Sequence, residues 1–440
     1  MTDFRKVKEF IRRQPVFVSS NFTIRECAEL MDREKISSVV VMDNGKPKAF
    51  FTESDLRRVV GESVNLSSRV LDFATTRLVT VDSDSPIFNA LSVMIENNVK
   101  HLAVIEDGDI VGVVTLRDIA LDLAPKHVKY TARIHNAASL EVIRETVESF
   151  KNELKEEAEN YIKHPEIVDP YIFFSEISHV VDAMIITASR FTSMPESGFV
   201  YAITGSGGRR EQFLLTDRDT ISVYYGENSL EWFAEFERVL DGLGFPGCEH
   251  GYTSDRFFIK YPEGEKICSE WARNVDRNIV NIALIADARY LLGEKKILEE
   301  FKECFTEKLY RNRFVILNSL RYRPALNIFG NLKETFNYKA GAVAPIEYPV
   351  RALAITNGIF DVTNTLDRIT VLGEEKIIPG DMADDLEHAY TVLMRRKIWL
   401  QAQNLKDFRA SKANPMERAM VKDALKTVKR FQSYIERNYI

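Results

Sequence analysis

Tyr201-Ala-Ile-Thr-Gly-Ser-Gly-Gly-Arg-Arg-Glu-Gln-Phe-Leu-Leu-Thr-Asp-Arg-Asp-Thr-Ile-Ser-Val-Tyr224 is the stretch from which the rest of the chain is best read. An apolar run leads into Gly205, Ser206, Gly207 and Gly208, and Asp217 and Asp219 stand just before a second apolar run. A glycine-rich turn lets backbone N–H groups approach phosphate oxygens without a Cβ in the way. Carboxylates at i and i+2 on extended chain point the same way. Such a pair suits Mg²⁺ held against a triphosphate, with Arg209 adding positive charge. A glycine-rich hairpin with solvated acids would explain the Gly-Ser pair alone. It does not explain strand, turn, acid pair and strand in one order.

Length and composition set the frame. The chain has 440 residues, too long for one ordinary domain. Hydrophobic residues make up 45% and charged residues 28%, a globular balance. A net charge of −6 counts against general affinity for nucleic acid or acidic lipid. Reading along the chain finds no apolar run of about 18 residues, so no membrane span is expected. Met1–Arg13 is charged throughout and lacks a signal-peptide core, and a cytoplasmic protein is expected. Cys27, Cys248, Cys268 and Cys304 are scattered, which suggests free thiols rather than disulfides or a zinc site.

Residues 16–120 contain a duplication. A shift of 63 places Val18 on Val81, Val41 on Val104, Gly45 on Gly108, Thr52 on Thr115 and Asp55 on Asp118. Each copy reads as strand, helix, two strands across a glycine turn, and a second helix. Thr52 and Thr115 stand where helices begin and suit N-caps, with Asp55 and Asp118 as first-turn acids. The same groups suit a phosphate and a ribose diol. Copy two keeps the fuller pattern, Gly112-Val-Val-Thr115-Leu-Arg-Asp118, where copy one has Ala49 in place of the glycine.

The repeats resemble CBS motifs, two of which pack as a Bateman module. That likeness implies adenylate binding (AMP, ADP or ATP) at Thr115 and Asp118, and at Thr52 and Asp55. The central stretch resembles the DUF294-type nucleotidyltransferase domain found behind CBS pairs, related to signalling uridylyltransferases. Gly205, Ser206, Gly208, Arg209, Glu211, Thr216, Asp217 and Asp219 carry the match. It implies NTP binding by Gly205, Ser206, Gly207, Gly208 and Arg209, and Mg²⁺ on Asp217 and Asp219. A third carboxylate is expected from Asp255, Glu249 or Glu265, with Asp255 preferred because a strand-like run follows it. The segment Glu249-His-Gly-Tyr-Thr-Ser-Asp255 departs from the relatives' pattern there. Asp287 and Arg289 match a closing Asp-x-Arg, and Tyr338–Ile346 onward resembles the substrate-binding domain that follows. Lys339, Arg351, Asn364 and Arg368 are the polar residues that this likeness marks for an acceptor; surface ion pairs or helix caps are the plainer use.

The expected architecture is α+β and multidomain: a CBS pair, a mixed-sheet nucleotidyltransferase fold and a helical bundle. The segments are 1–125 (repeats about 10–62 and 72–124), a helical connector 126–192, then 193–292 and 293–440. The expected function is Mg²⁺-dependent transfer of a nucleotidyl group from an NTP to a hydroxyl of a protein or small molecule, regulated by adenylates, in a homodimer. The rival is a non-catalytic adenylate sensor whose transferase-like domain binds partners. An RNA-end-modifying transferase shares the turn but fits the acidic balance poorly.

Overall fold

The computed structural model describes residues 5–75, 78–163, 169–213, 217–225 and 228–440. Thr216 of the motif and Pro165 of the connector lie outside them. Two compact units are present, Met1–Lys129 and Tyr130–Ile440.

The first unit repeats one pattern twice. Strand β1 (Phe17–Ser19), helix α1 (Ile24–Glu34), strands β2 (Ser38–Asp43) and β3 (Lys46–Thr52) and helix α2 (Glu53–Gly61) form copy one. Strand β4 (Thr80–Asp82), helix α3 (Ile87–Asn97), strands β5 (His101–Glu106) and β6 (Asp109–Thr115) and helix α4 (Leu116–Leu123) form copy two. The register repeats with the sequence: Val18 pairs Val41 and Val81 pairs Val104, both parallel. The irregularity between Val41 and Met42 recurs between Val104 and Ile105. Lys35 and Asn98 take left-handed backbone at equivalent helix ends, and so do Gly45 and Gly108 in the hairpin turns. The cores of the copies meet through buried Val40, Phe50 and Ala103.

In the second unit, after the end of helix α5 (Lys126–His135), whose first residues belong to the first unit, and after α6 (Leu140–Lys163) and α7 (Pro170–Ser189), a four-stranded mixed sheet forms. Its strands are β7 (Phe199–Ile203), β8 (Thr220–Tyr224), β9 (Phe258–Lys260) and β10 (Arg289–Gly293), in the order β10-β7-β8-β9. All residues of β7 are buried because both faces are covered. Phe199, Tyr201 and Ile203 pack with α7 and α9 (Asn228–Gly242). Val200 and Ala202 pack on the other side with α10 (Gly264–Arg273), α11 (Val275–Asp287) and α12 (Lys295–Leu309). Helices α13 (Arg313–Ser319), α14 (Ala344–Thr356), α15 (Thr365–Glu374), α16 (Gly380–Ala402) and α17 (Pro415–Tyr439) complete the unit. The connector, the sheet segment and the C-terminal helices thus share one compact body.

Against expectation, α7 is long and apolar enough to cross a membrane by length and composition, but 67% of its apolar window is buried inside the protein. Its Phe173, Phe174, Ile177, Val181 and Met184 are core residues.

Candidate functional site

The Gly-Ser motif forms one short helical turn, α8 (Gly205–Gly208), directly after β7. Gly205 has φ +56, and an added Cβ would strike Asp219 Oδ2. A Cβ on Gly208 would strike the backbone oxygen of Asp287. Both positions therefore need glycine, the first also for its backbone conformation. The turn is tied to the acids: Thr204 N–H donates to Asp219 O (2.9 Å) and Gln212 Nε2 to Asp217 O (2.8 Å).

Asp217 is exposed and Asp219 half-buried, while Arg218 between them is fully buried. This is the alternation of extended chain, and it sends a guanidinium into the core. Arg218 Nε donates to Glu237 Oε2 (3.0 Å), Nη1 to Asp241 Oδ1 (3.0 Å) and Nη2 to Glu237 O (2.8 Å). Glu237 Oε1 also accepts from Tyr201 (3.1 Å), Thr220 (2.9 Å) and Ser254 Oγ (2.6 Å). This knot on α9 fixes the acids from behind. Nothing in the local sequence pointed to it.

Asp217, Asp219 and Cys248 offer ligand atoms within 4.8 Å of one another. Burial raises the Asp219 carboxyl pKa and the Asp217 charge adds to that, with a Cys248 hydrogen bond and Lys339 opposing. Burial and the Asp219 hydrogen bond push the Cys248 thiol up to about 11. At neutral pH it is a protonated thiol that donates to Asp219. Two carboxylates, with water and phosphate oxygens, make a Mg²⁺ donor set; a protonated thiol is not a hard-cation ligand. The residues fit Mg²⁺ through Asp217 and Asp219.

Asp255 does not join this group. Arg256 N–H closes a turn onto Thr253 O (2.8 Å) before β9, and Asp255 Oδ1 is buried without a hydrogen bond. Cys248 stands where the third carboxylate was expected. Glu249 and Glu265 are also absent from the donor group.

The acids open on a cleft of about 1050 Å³. Gly205, Ser206, Asp217 and Asp219 line it together with Tyr338, Lys339, Tyr348 and Lys397 from the C-terminal segment. Lys339, expected at an acceptor, is exposed in the cleft lining.

Arg209, Arg351 and Arg368 share one partner. All are buried, and all reach Asp287, which is 1% exposed. Arg209 Nη1 lies 2.6 Å from Asp287 Oδ2, Arg351 Nε 3.0 Å and Arg368 Nη1 2.7 Å from Oδ1. Arg209 also pairs with Glu211 (2.7 Å) and Glu347 (3.2 Å). Burial would raise the Asp287 pKa, but Arg351, Arg209 and Arg368 hold it well below the carboxylate range. Burial would likewise lower the Arg209 pKa, but Glu347, Asp287 and Glu211 hold it high. Guanidiniums so engaged brace the fold; Arg209 and Arg351 also line the cleft, whereas Arg368 does not. Asn364 caps α15 and donates to Arg209 O (2.9 Å). Arg289 pairs bidentately with Asp182 at 2.7 and 2.8 Å.

In the first unit, Thr52 with Asp55 and Thr115 with Asp118 form capping boxes at the starts of α2 and α4. The copies differ in one respect. Asp55 is 4% exposed and its Oδ1 is held by Thr75 (2.9 Å) and Arg58 (3.1 Å). Asp118 is bound only through Oδ2, to Thr115, among the described residues.

Comparison with known families matches residues 7–62 and 70–124 to the CBS domain. Residues 171–282 match "Putative nucleotidyltransferase DUF294", and 312–439 match "Putative nucleotidyltransferase substrate binding domain". Among curated proteins, the CBS domain-containing protein YhcV of Bacillus subtilis is 26% identical over 117 residues, covering 26% of this chain and 84% of its own. An uncharacterized protein of Methanocaldococcus jannaschii is 31% identical over 103 residues, and the match spans 23% of this chain and only 34% of that protein. A solved CBS domain protein from Pyrobaculum aerophilum, complexed with AMP, is 26% identical, with a TM-score of 0.26, covering 28% of this chain and 95% of that one. The chain belongs to the family that joins a tandem CBS pair to a DUF294-type domain and the C-terminal domain that accompanies it.

Proposed function

We propose that the second unit transfers a nucleotidyl group from an NTP to a hydroxyl of a protein or small-molecule acceptor, and that an adenine nucleotide on the CBS pair regulates it. The observation that carries this reading is the convergence of Asp217 and Asp219 on a glycine turn at one wall of a roomy cleft. A divalent cation on the two carboxylates would neutralise triphosphate charge there. The chain itself supplies position. Gly205 lets the turn lie against Asp219 where a Cβ would not fit, and Lys339 adds a cation to the cleft lining. The acceptor oxygen attacks the α-phosphorus, that phosphorus parts from the bridging oxygen, pyrophosphate leaves, and the hydroxyl proton passes to a base. The other acids lining the cleft (Glu211, Asp287 and Glu347) are paired with arginines, which leaves Asp217 and Asp219 as the free carboxylates among its described lining residues. Positioning and electrostatics would supply most of the rate. For regulation, the partly free Asp118 carboxylate favours the second CBS site over the first as the adenylate site.

The rival, a non-catalytic adenylate sensor, is favoured by one observation: the third donor beside the acids is a thiol and not a carboxylate. Calorimetric titration with ATP, with and without Mg²⁺, separates the two. A Mg²⁺-dependent isotherm lost in Asp217→Asn and kept in Asp118→Ala is the expected result. Adenylate binding that is lost only in Asp118→Ala would overturn the transferase reading and leave the sensor.

A further inference from the structure

The wall behind the glycine turn is a closed ionic set. Three carboxylates (Glu211, Asp287 and Glu347) meet three guanidiniums (Arg209, Arg351 and Arg368) at 3.2 Å or less. Charge is balanced within that set. Lys397 on α16 makes none of these direct pairs, although its charge is felt at Glu347. It lines the cleft, and among the described residues it makes no hydrogen bond or ion pair; its Nζ sits 5.5 Å from the Phe174 ring centroid. Burial lowers its pKa, with Glu347 and Glu211 opposing at longer range. Lys339 lines the same cleft, also without a hydrogen bond or ion pair among the described residues, and its charge is felt at both Asp219 and Glu347.

A half-buried ammonium without a direct hydrogen bond or ion pair is left short of polar partners, which something anionic in the cleft would complete. Lysine serves phosphate as a point charge without demanding a planar partner. The cleft, at about 1050 Å³, is at the upper end of the roughly 300–1,000 Å³ that a single ligand fills. We propose that Lys397, with Lys339, forms a phosphate-binding site that the C-terminal segment contributes to the cleft. The phosphate belongs either to the far end of the nucleotide or to a phosphorylated acceptor. The assignment rests on the cleft being the substrate site of the reading above.

The test uses the full chain and its Lys397→Gln, Lys397→Arg and Asp217→Asn variants, titrated with inorganic pyrophosphate and with Mg-ATP. Pyrophosphate binding should weaken 10- to 100-fold in Lys397→Gln, recover in part in Lys397→Arg, and survive in Asp217→Asn. If Mg-ATP weakens in parallel, the phosphate is the nucleotide's. If Mg-ATP is untouched and pyrophosphate binding to ATP-saturated protein falls, the phosphate is a second molecule's. Equal pyrophosphate affinity in wild type and Lys397→Gln overturns the proposal. If wild type binds pyrophosphate through Lys397 yet never binds Mg-ATP, the phosphate site stands and the transferase reading falls.

Discussion

Arg209 and Asp287 are 78 positions apart, and their side chains meet at 2.6 Å in the interior of the second unit. Arg209 lies in the motif expected to bind phosphate, and Asp287 ends α11. Their pairing turns part of a presumed ligand motif into the joint between the sheet and the C-terminal helices.

Removal of one guanidinium from that joint should leave Asp287 with buried charge less well matched. Arg368→Met is expected to lower stability by about 3–5 kcal/mol. Chemical denaturation followed by circular dichroism measures this; a loss under about 1 kcal/mol would place Arg368 outside the load of the fold.

Acid should open the same joint. Burial would raise the Glu347 pKa from its ordinary value near 4.5, but Arg209, Lys397 and Arg351 hold it down at about 2. A depressed carboxylate contributes stability above its unfolded pKa and loses that contribution as pH falls toward its folded one. Stability should therefore decline between about pH 4.5 and pH 2, and Glu347→Gln should flatten that part of the profile. Urea midpoints measured across the window decide it.

Gly208 faces the Asp287 carbonyl with no room for a methyl group. Gly208→Ala should cost several kcal/mol, on the scale of overpacking, and appear as lost soluble yield or a melting point lower by many degrees. Gly242→Ala, where nothing lies within 4 Å of the added carbon, is the matched control and should be neutral or mildly stabilising.

The two CBS copies should respond differently to the same change. Asp55 carries hydrogen bonds to Thr52, Thr75 and Arg58, whereas Asp118, among the described residues, carries only those of its capping box. Asp55→Ala is expected to cost about 2–3 kcal/mol and Asp118→Ala about 1 kcal/mol. Hydrogen exchange at α2 and α4 reads each locally. Equal losses would contradict the difference drawn between the sites.

What the sequence disclosed follows from distance along the chain. The CBS duplication was legible because one shift of 63 repeats apolar spacing, turn glycines and caps, all local signals. The Asp217 and Asp219 placement was legible because two-residue alternation needs no knowledge of neighbours. Partners brought from afar were not legible. Glu237 reads as one more acid on an amphipathic helix, yet it anchors Arg218 and Ser254. Cys248 reads as a scattered thiol, yet it closes the donor group. Asp255 was preferred from the strand after it, and the turn at Thr253 removes it from the site. Arg351 and Arg368 looked available because their partner, Asp287, lies 64 and 81 residues away.

The glycine turn is held partly from far downstream. Thr363 Oγ1 donates to Gly208 O (2.9 Å), and Thr365 N–H donates to Glu211 Oε1 (2.9 Å). During synthesis, the turn and the acid pair leave the ribosome some 150 residues before these donors do. A nascent chain at that stage has its catalytic-looking signature but not the braces that set it. Premature termination between Asp219 and α15 would therefore yield a fragment that carries the motif without these two braces.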